Sequence, residues 1–251
     1  TSVGADALFS NTTGAANTAV GLDALFSNST ADNNTAVGYE ASKANTTGSY
    51  NTAMGREAME GNTTGSENAA FGAATMMASQ TGDRNTGLGY GALQVNTSGE
   101  FNTACGNRAL FDNSTGTRNT ALGASAGSQI TTGVSNVCIG YLAGDHSVDL
   151  TTGGDNVLVG AFTRTDGAST VGANIFGYDL QGAAGYTTIG NAANDIRASH
   201  GSTTWSTVSD ERYKKDIEDS TTGLSFVNAL RPRTFNYKNL GDLPDTFSAY
   251  K

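Results

Sequence analysis

The sequence predicts an all-β protein of short strands wound into stacked coils, a parallel β-roll or β-helix-like repeat. Three observations carry that prediction. Versions of Asn17-Thr18-Ala19-Val20-Gly21 return every seventeen residues, with the closing glycine at Gly4, Gly21, Gly38, Gly55, Gly72, Gly89, Gly106, Gly123 and Gly140. A fixed period in this range marks a repeat architecture. The apolar runs between punctuating Gly and Asn are too short for helices and fit strands joined by turns. The composition, 33 glycines but two prolines and 37% hydrophobic residues in 251, excludes collagen and favours a repeat over ordinary globular domains.

Each column of the unit has its own expected role. The residue before the glycine is apolar in every copy (Val3, Val20, Val37, Met54, Phe71, Leu88, Cys105, Leu122, Ile139), which predicts a continuous core. Two residues before the glycine the side chain is small, from Ser2 and Ala19 through Gly87 to Cys138. That column predicts a second surface where another backbone comes close, the axis of a trimer. Asparagine recurs four residues before the glycine, from Asn17 to Asn136, and stacked asparagines can bond one another and turn backbone. Alanine follows three residues after the glycine, except at Thr75, often with a large apolar neighbour such as Leu25, Met59 or Leu110. A second glycine (Gly14, Gly48, Gly65, Gly82, Gly99, Gly116, Gly133) follows an Asn-Thr-Thr-like run and predicts a turn with positive φ. At about 4.8 Å per strand, nine coils rise roughly 40 Å. One coil encloses little apolar volume, so stability must come from neighbours.

The formal charge is −9, and the segment from Asp210 onward is balanced, so the negative excess lies upstream. That argues against nucleic acid or an anionic membrane as partner. No stretch approaches the ~20 apolar residues of a membrane span. No signal peptide is visible, and the chain begins in mid-repeat. Cys105 and Cys138 occupy two interior columns about two coils apart, which predicts buried thiols rather than a disulfide. No cofactor or metal site is expected.

Several motifs have a plainer explanation. Asn11, Asn28, Asn33, Asn45, Asn62, Asn96 and Asn113 begin N-x-S/T sequons, but most sit at the turn of the repeat, where turn chemistry accounts for them. Threonine at every turn is a weaker ice-binding signal than a strand-centred face. Gly153-Gly154-Asp155 lacks the nonapeptide series of a calcium-binding roll. No pair of carboxylates recurs as glycoside hydrolysis requires. His200, in a Ser/Gly-rich turn, reads as exposed and idle.

After Gly140 related units close at Gly160, Gly177 and Gly190, spaced twenty, seventeen and thirteen, so the cross-section is expected to change. The domain division is therefore 1–145 for the repeat, 146–204 for an irregular β transition whose last element lies at Asp195–Ala198, and 205–251 for a third part. There the charge density jumps. Leu224, Val227 and Leu230 share one face of a short helix that Pro232 helps end, and Phe235 and Tyr237 alternate as in a strand. A small α+β unit starts here.

The N-T-A-apolar-G-x-x-A repeat resembles the repeats in the heads of trimeric autotransporter adhesins and in phage tail fibres. The resemblance covers about residues 1–145 and implies a left-handed parallel β-roll with three chains around a common axis. The period here is longer than in the best-known heads, and a three-chain interleaved β-helix is the competing architecture. The stretch Ser209-Asp210-Glu211-Arg212-Tyr213-Lys214-Lys215-Asp216-Ile217, with the following Leu-x-x-Leu-Arg-Pro and Phe-x-Tyr segments, resembles the start of the intramolecular chaperone auto-processing domain of phage tail fibres and tailspikes. That resemblance implies a domain that helps three chains assemble and then cuts itself off. It assigns a Ser209–Lys214 dyad and a scissile bond between Ser209 and Asp210. Serine needs a base to become nucleophilic, and Lys214 can serve if burial or the nearby Arg212 lowers its pKa. Only about forty residues follow Asp210, fewer than in familiar versions, which puts activity in question.

The expected function is a structural or receptor-binding segment of a homotrimeric phage tail fibre, a virion protein assembled in the host cytoplasm. Its partners would be a host cell-surface glycan or protein receptor and other tail proteins, with no membrane insertion. Its catalysis would be one self-cleavage in cis. The alternatives are the shaft of a glycan-degrading tailspike and a bacterial trimeric surface adhesin.

Overall fold

The structure, a computed structural model, describes residues 1–192, 194–202, 204 and 206–207. All regular structure among them is β, with no helix. Residues 1–208 form one compact unit and 209–251 another. The first is a parallel β-solenoid of about eleven turns, mostly seventeen residues each.

Each coil offers one short strand to a common sheet: β1 (Ser2–Val3), β2 (Thr18–Val20), β3 (Thr35–Val37), β4 (Thr52–Met54), β5 (Ala69–Phe71), β6 (Thr86–Leu88), β7 (Thr103–Cys105), β8 (Thr120–Leu122) and β9 (Val137–Ile139). They stack parallel in strict register, Ala19 opposite Ala36 and Ala36 opposite Ala53. The coils therefore stack on coils of the same chain. A strand of three residues has two outward side chains and one inward, because successive Cβ atoms alternate. The inward residue is the small one: Ala19, Ala36, Ala53, Ala70, Ala104, Ala121 and Cys138 are fully buried.

This reverses two expectations. The apolar residue before the glycine does not form the core; Met54, Phe71, Leu88 and Leu122 are 37–49% exposed. The small column does not mark a surface toward another chain, because it faces the coil's own interior. The core instead joins that column to the alanines after the glycine (Ala24, Ala58, Ala92, Ala109) and the large residues beside them (Leu25, Met59, Met76, Leu93, Leu110). Full burial of one Leu or Met contributes ~2–3 kcal/mol, so a single coil holds too little to order itself. Cys105 accordingly lies half-buried on the outer face, and only Cys138 is interior; both thiols are free.

The two glycine columns serve different ends. The first, from Gly4 to Gly177, has φ between +124° and +157°, as at Gly21 (+139°) and Gly106 (+145°), backbone that glycine adopts without strain. The second needs no such φ, contrary to the sequence expectation. A Cβ on Gly48 would stand 2.2 Å from the Gly65 carbonyl oxygen of the next coil, so it is glycine because the backbones touch. The positive-φ turn positions are elsewhere, at residues such as Asp23 (55°), Leu25 (51°) and Asn33 (59°), repeated coil after coil. None of these non-glycine positions is Val, Ile or Thr, the types most strained there.

Two asparagine ladders run through the interior. In one, Asn34 donates its amide to Gly48 O (2.9 Å) and accepts from the Asn51 backbone N–H (2.9 Å), a pattern repeated from Asn17 to Asn156. In the other, Asn28 Nδ2 donates to Asn11 Oδ1 (2.8 Å) and Asn45 Nδ2 to Asn28 Oδ1 (2.9 Å). The sequon asparagines Asn28, Asn45, Asn62, Asn96 and Asn113 are thus fully buried structural groups. The first threonine of the turn run is engaged as well: Thr46 Oγ1 donates to Thr63 O (2.9 Å) and Thr63 Oγ1 to Gln80 O (2.8 Å).

Beyond Gly140 the sequence spacing slips but the ladder does not. The longer coil loops out its extra residues as an antiparallel hairpin, β10 (Asp145–His146) and β11 (Val148–Asp149). β12 (Val157–Val159) then pairs with β9 in register. β14 (Asn174–Tyr178) and β16 (Tyr186–Asn191) extend the parallel sheet, while β13 (Arg164–Thr165) and β15 (Gln181–Gly182) pair beside it. Two antiparallel strands, β17 (Asn194–Ser199) and β18 (Ser206–Thr207), close the fourteen-stranded sheet.

Candidate functional site

The residues assigned to self-cleavage, Ser209, Asp210 and Lys214, lie outside the described residues, as do the helix expected at 224–230 and the strand at 235–237. What is described is the approach to them. β17 pairs antiparallel with β16, Ile196 opposite Ile189, and β18 pairs with β17, Ile196 opposite Thr207. The last described strand stops two residues before Ser209, and the first unit ends at Val208. A scissile bond at 209–210 lies at that boundary in the sequence, where cutting leaves every described ladder hydrogen bond intact. His200 is exposed, as expected, but not idle: its Nε2 stands 3.3 Å from both Asn174 Nδ2 and Thr187 Oγ1, tying its turn to β14 and β16.

Two further groupings lie on the solenoid surface. In one column Arg84 pairs with Glu67 through two contacts (2.9 and 3.3 Å) and lies 5.2 Å from the Phe101 ring centre. The Arg84 guanidinium holds the Glu67 carboxyl below its ordinary pKa. Tyr50, 65% exposed, adjoins Glu67 at a shallow, open depression. The second grouping surrounds the β10–β11 hairpin. Asp145 and Asp149 face each other across it, and the Ser128 hydroxyl donates to Asp145. Burial, countered in part by Ser128 and reinforced by Asp149, pushes Asp145 up to about 6. Burial, with Asp145 adding to it, also pushes the Cys138 thiol up to about 12, which makes it inert as a nucleophile. Phe162 meets Tyr141, His146 and Tyr178 edge-on at 4.9–5.7 Å. Sequence reasoning missed this hairpin; its only trace was the twenty-residue spacing from Gly140 to Gly160.

Gly153-Gly154-Asp155 belongs to the ladder rather than to an ion loop. The Gly153 carbonyl accepts from Asn136 Nδ2 (2.9 Å) and Asp155 occupies a positive-φ turn position (57°). Among the described residues no three His, Cys, Asp or Glu side chains gather as metal ligands, and no helix is long and apolar enough to cross a membrane.

No curated protein and no solved structure matches the chain. The sequence profile of the family described as chaperone of endosialidase does match, over residues 209–247, beginning at Ser209. A segment similar to that chaperone, following a seventeen-residue β-solenoid, fits a phage tail fibre-like protein that carries an intramolecular chaperone.

Proposed function

We propose that this chain is a segment of a homotrimeric phage tail fibre whose solenoid spaces or presents a contact for a host surface glycan or protein. The segment from Asp210 onward fixes the register of the chains during assembly in the host cytoplasm and is then removed. The observation that carries this reading is that the solenoid unit ends at Val208 and the chaperone match begins at the next residue, Ser209.

In the cleavage step Lys214, in its neutral form, takes the proton of the Ser209 hydroxyl and so activates it. Net hydrolysis of the Ser209–Asp210 bond consumes one water and leaves a carboxyl group on Ser209 and an amine on Asp210. Loss of the chaperone segment makes assembly irreversible, since the element that could also assist unfolding is gone. The wild-type chain should yield a fragment beginning at Asp210 on a denaturing gel, identified by its mass. Ser209→Ala and Lys214→Ala should abolish that fragment; a cleavage pattern unchanged by both would refute the assignment.

A further inference from the structure

The outward side of the parallel sheet is free of charge along its whole length, and one of its two ladders is apolar throughout. These ladders take the residues on either side of the buried one in each strand. Thr18, Thr35, Thr52, Thr86, Thr103 and Thr120 supply much of the first. The second runs Val3, Val20, Val37, Met54, Phe71, Leu88, Cys105, Leu122, Ile139, Val159, Phe176 and Ile189. No Asp, Glu, Lys or Arg occupies either ladder from β1 to β16, although the chain upstream of Asp210 carries the whole excess of negative charge. Val3, Met54, Phe71, Leu88, Leu122, Phe176 and Ile189 are 37–58% exposed. Together the apolar ladder shows on the order of 700 Å², above the few hundred Å² usual for a monomer's patch and close to the ~800 Å² per partner of a standard interface.

We infer that this outer sheet face is where a second copy of the chain docks, parallel and in the same coil register. The inference rests on the proposed assembly and names its surface. Three features select a copy over other occupants. An interface of this length must match a ladder repeating every ~4.8 Å, and another copy of the chain supplies that pitch by construction. In parallel register equivalent residues stand at the same height, so the coil-to-coil changes in size, from Val37 through Met54 and Phe71 to Leu88, are met by the same change in the neighbour. The like-charged columns lie off the strands, so two negatively charged chains can close on this face without bringing carboxylates together. Acidic residues there have other work: Asp83 Oδ1 accepts from the Ser66 backbone N–H (2.7 Å) and Asp32 Oδ1 from that of Ala15 (2.6 Å).

Cys105 sits in this ladder and provides the test, because the other thiol, Cys138, is fully buried. The full chain is treated with a short bismaleimide under native conditions and run on a denaturing gel. Wild type should give a covalent two-chain band. Cys105→Ser should give none. The double variant Cys105→Ser/Thr115→Cys, which moves the thiol to an exposed turn off the strands, should give none either. Leu122→Glu is a further variant. Leu122 is 49% exposed and outside the core, so the far-UV circular dichroism should stay unchanged. A charge buried between copies should weaken association ~100-fold or more, read as a fall in native mass on dilution. If the assembled wild type fails to cross-link while the double variant does, and Leu122→Glu still assembles, this surface is overturned and the assembly reading stands. A wild type that is a single chain at all concentrations overturns both.

Discussion

The coils before Gly123 and those after it solve the same packing problem with different side chains. In the earlier coils the interior is filled by alanine, one Leu or Met (Ser42 in one coil), and an asparagine ladder that satisfies turn backbone. In the later coils the ladder position of Asn113 passes to Ile130 and then to Leu150, while the Leu and Met column falls to Gly127 and Gly144. A Cβ on Gly127 would meet Ile130 at 3.0 Å and Leu110 at 3.2 Å, so the larger residue in one column requires the smaller in the other. What the coil conserves is volume and hydrogen-bond satisfaction, and column identity is only one way of meeting both. The same exchange occurs on a smaller scale at Thr75, the exception in the alanine column, whose Cγ2 would lie 2.6 Å from a Cβ at Gly87.

The harshest way to break the comparison is at the strand-closing glycines. Gly106→Ala forces an alanine into φ +145° with its Cβ 2.2 Å from the Gly123 carbonyl oxygen. It should cost about 4 kcal/mol, measured by denaturant unfolding of the full chain. Gly185→Ala, in the terminal coils at φ +73° with nothing within 4 Å, should cost only ~1 kcal/mol. Equal losses at the two sites would show that stacking contact is not what selects the glycine.

Next in size is the compensated pair. Gly87→Ala alone should destabilise by ~2 kcal/mol, and adding Thr75→Ala should recover most of that, giving a coupling energy of more than about 1 kcal/mol in a double-mutant cycle. Additive losses would refute the exchange. The asparagine ladder gives a prediction of opposite signs. Asn62 Oδ1 and Ser79 Oγ are buried without partners where serine interrupts the ladder. Ser79→Asn should raise stability by ~1 kcal/mol. Ile130→Asn also supplies a partner for the orphan Asn113 Oδ1, yet it removes an aliphatic side chain from the rearranged core and should cost ~2 kcal/mol. Both variants are read by thermal melting.

The smallest effect is at the hairpin. The folded-state pKa of Asp145, pushed to about 6, lies above the ordinary value of 3.8, so the folded chain holds this proton more tightly than the unfolded one. The penalty for ionising it is present above pH 6 and fades as pH falls toward 4. Asp145→Asn should therefore melt higher than wild type at pH 7.5, by on the order of 1 kcal/mol once screening of this half-exposed group is allowed for. The difference should have largely closed by pH 4. A constant difference across that range would remove the titration from the account.

The period, the all-β class and the parallel register were legible because every coil repeats the same chemistry; Asn34, Gly38 and Ala41 are informative only as members of columns. The direction of each column was not legible. Valine before a glycine looks like core and alanine looks like clearance, but strand alternation fixes only that Ala19 and Val20 face opposite ways. Which side is inside depends on where the turn sends Ala24 and Leu25, and a coil interior this narrow admits alanine on the strand and leucine at the turn. The chaperone-like segment was legible through the motif around Ser209, where the family match begins; the Ser209–Lys214 pair lies outside the described residues and stays part of the proposal.

The most direct test of the central claim is the mass of the full chain in solution, by sedimentation, under native conditions and again in denaturant. Under the proposed assembly, stacked coils that expose an uncharged apolar face ahead of a chaperone-like segment should give three times the mass of one chain natively, allowing for any loss of the segment beyond Ser209, and one chain mass in denaturant. A chain that keeps its β circular dichroism while sedimenting as a stable monomer of 25.6 kDa would contradict the account.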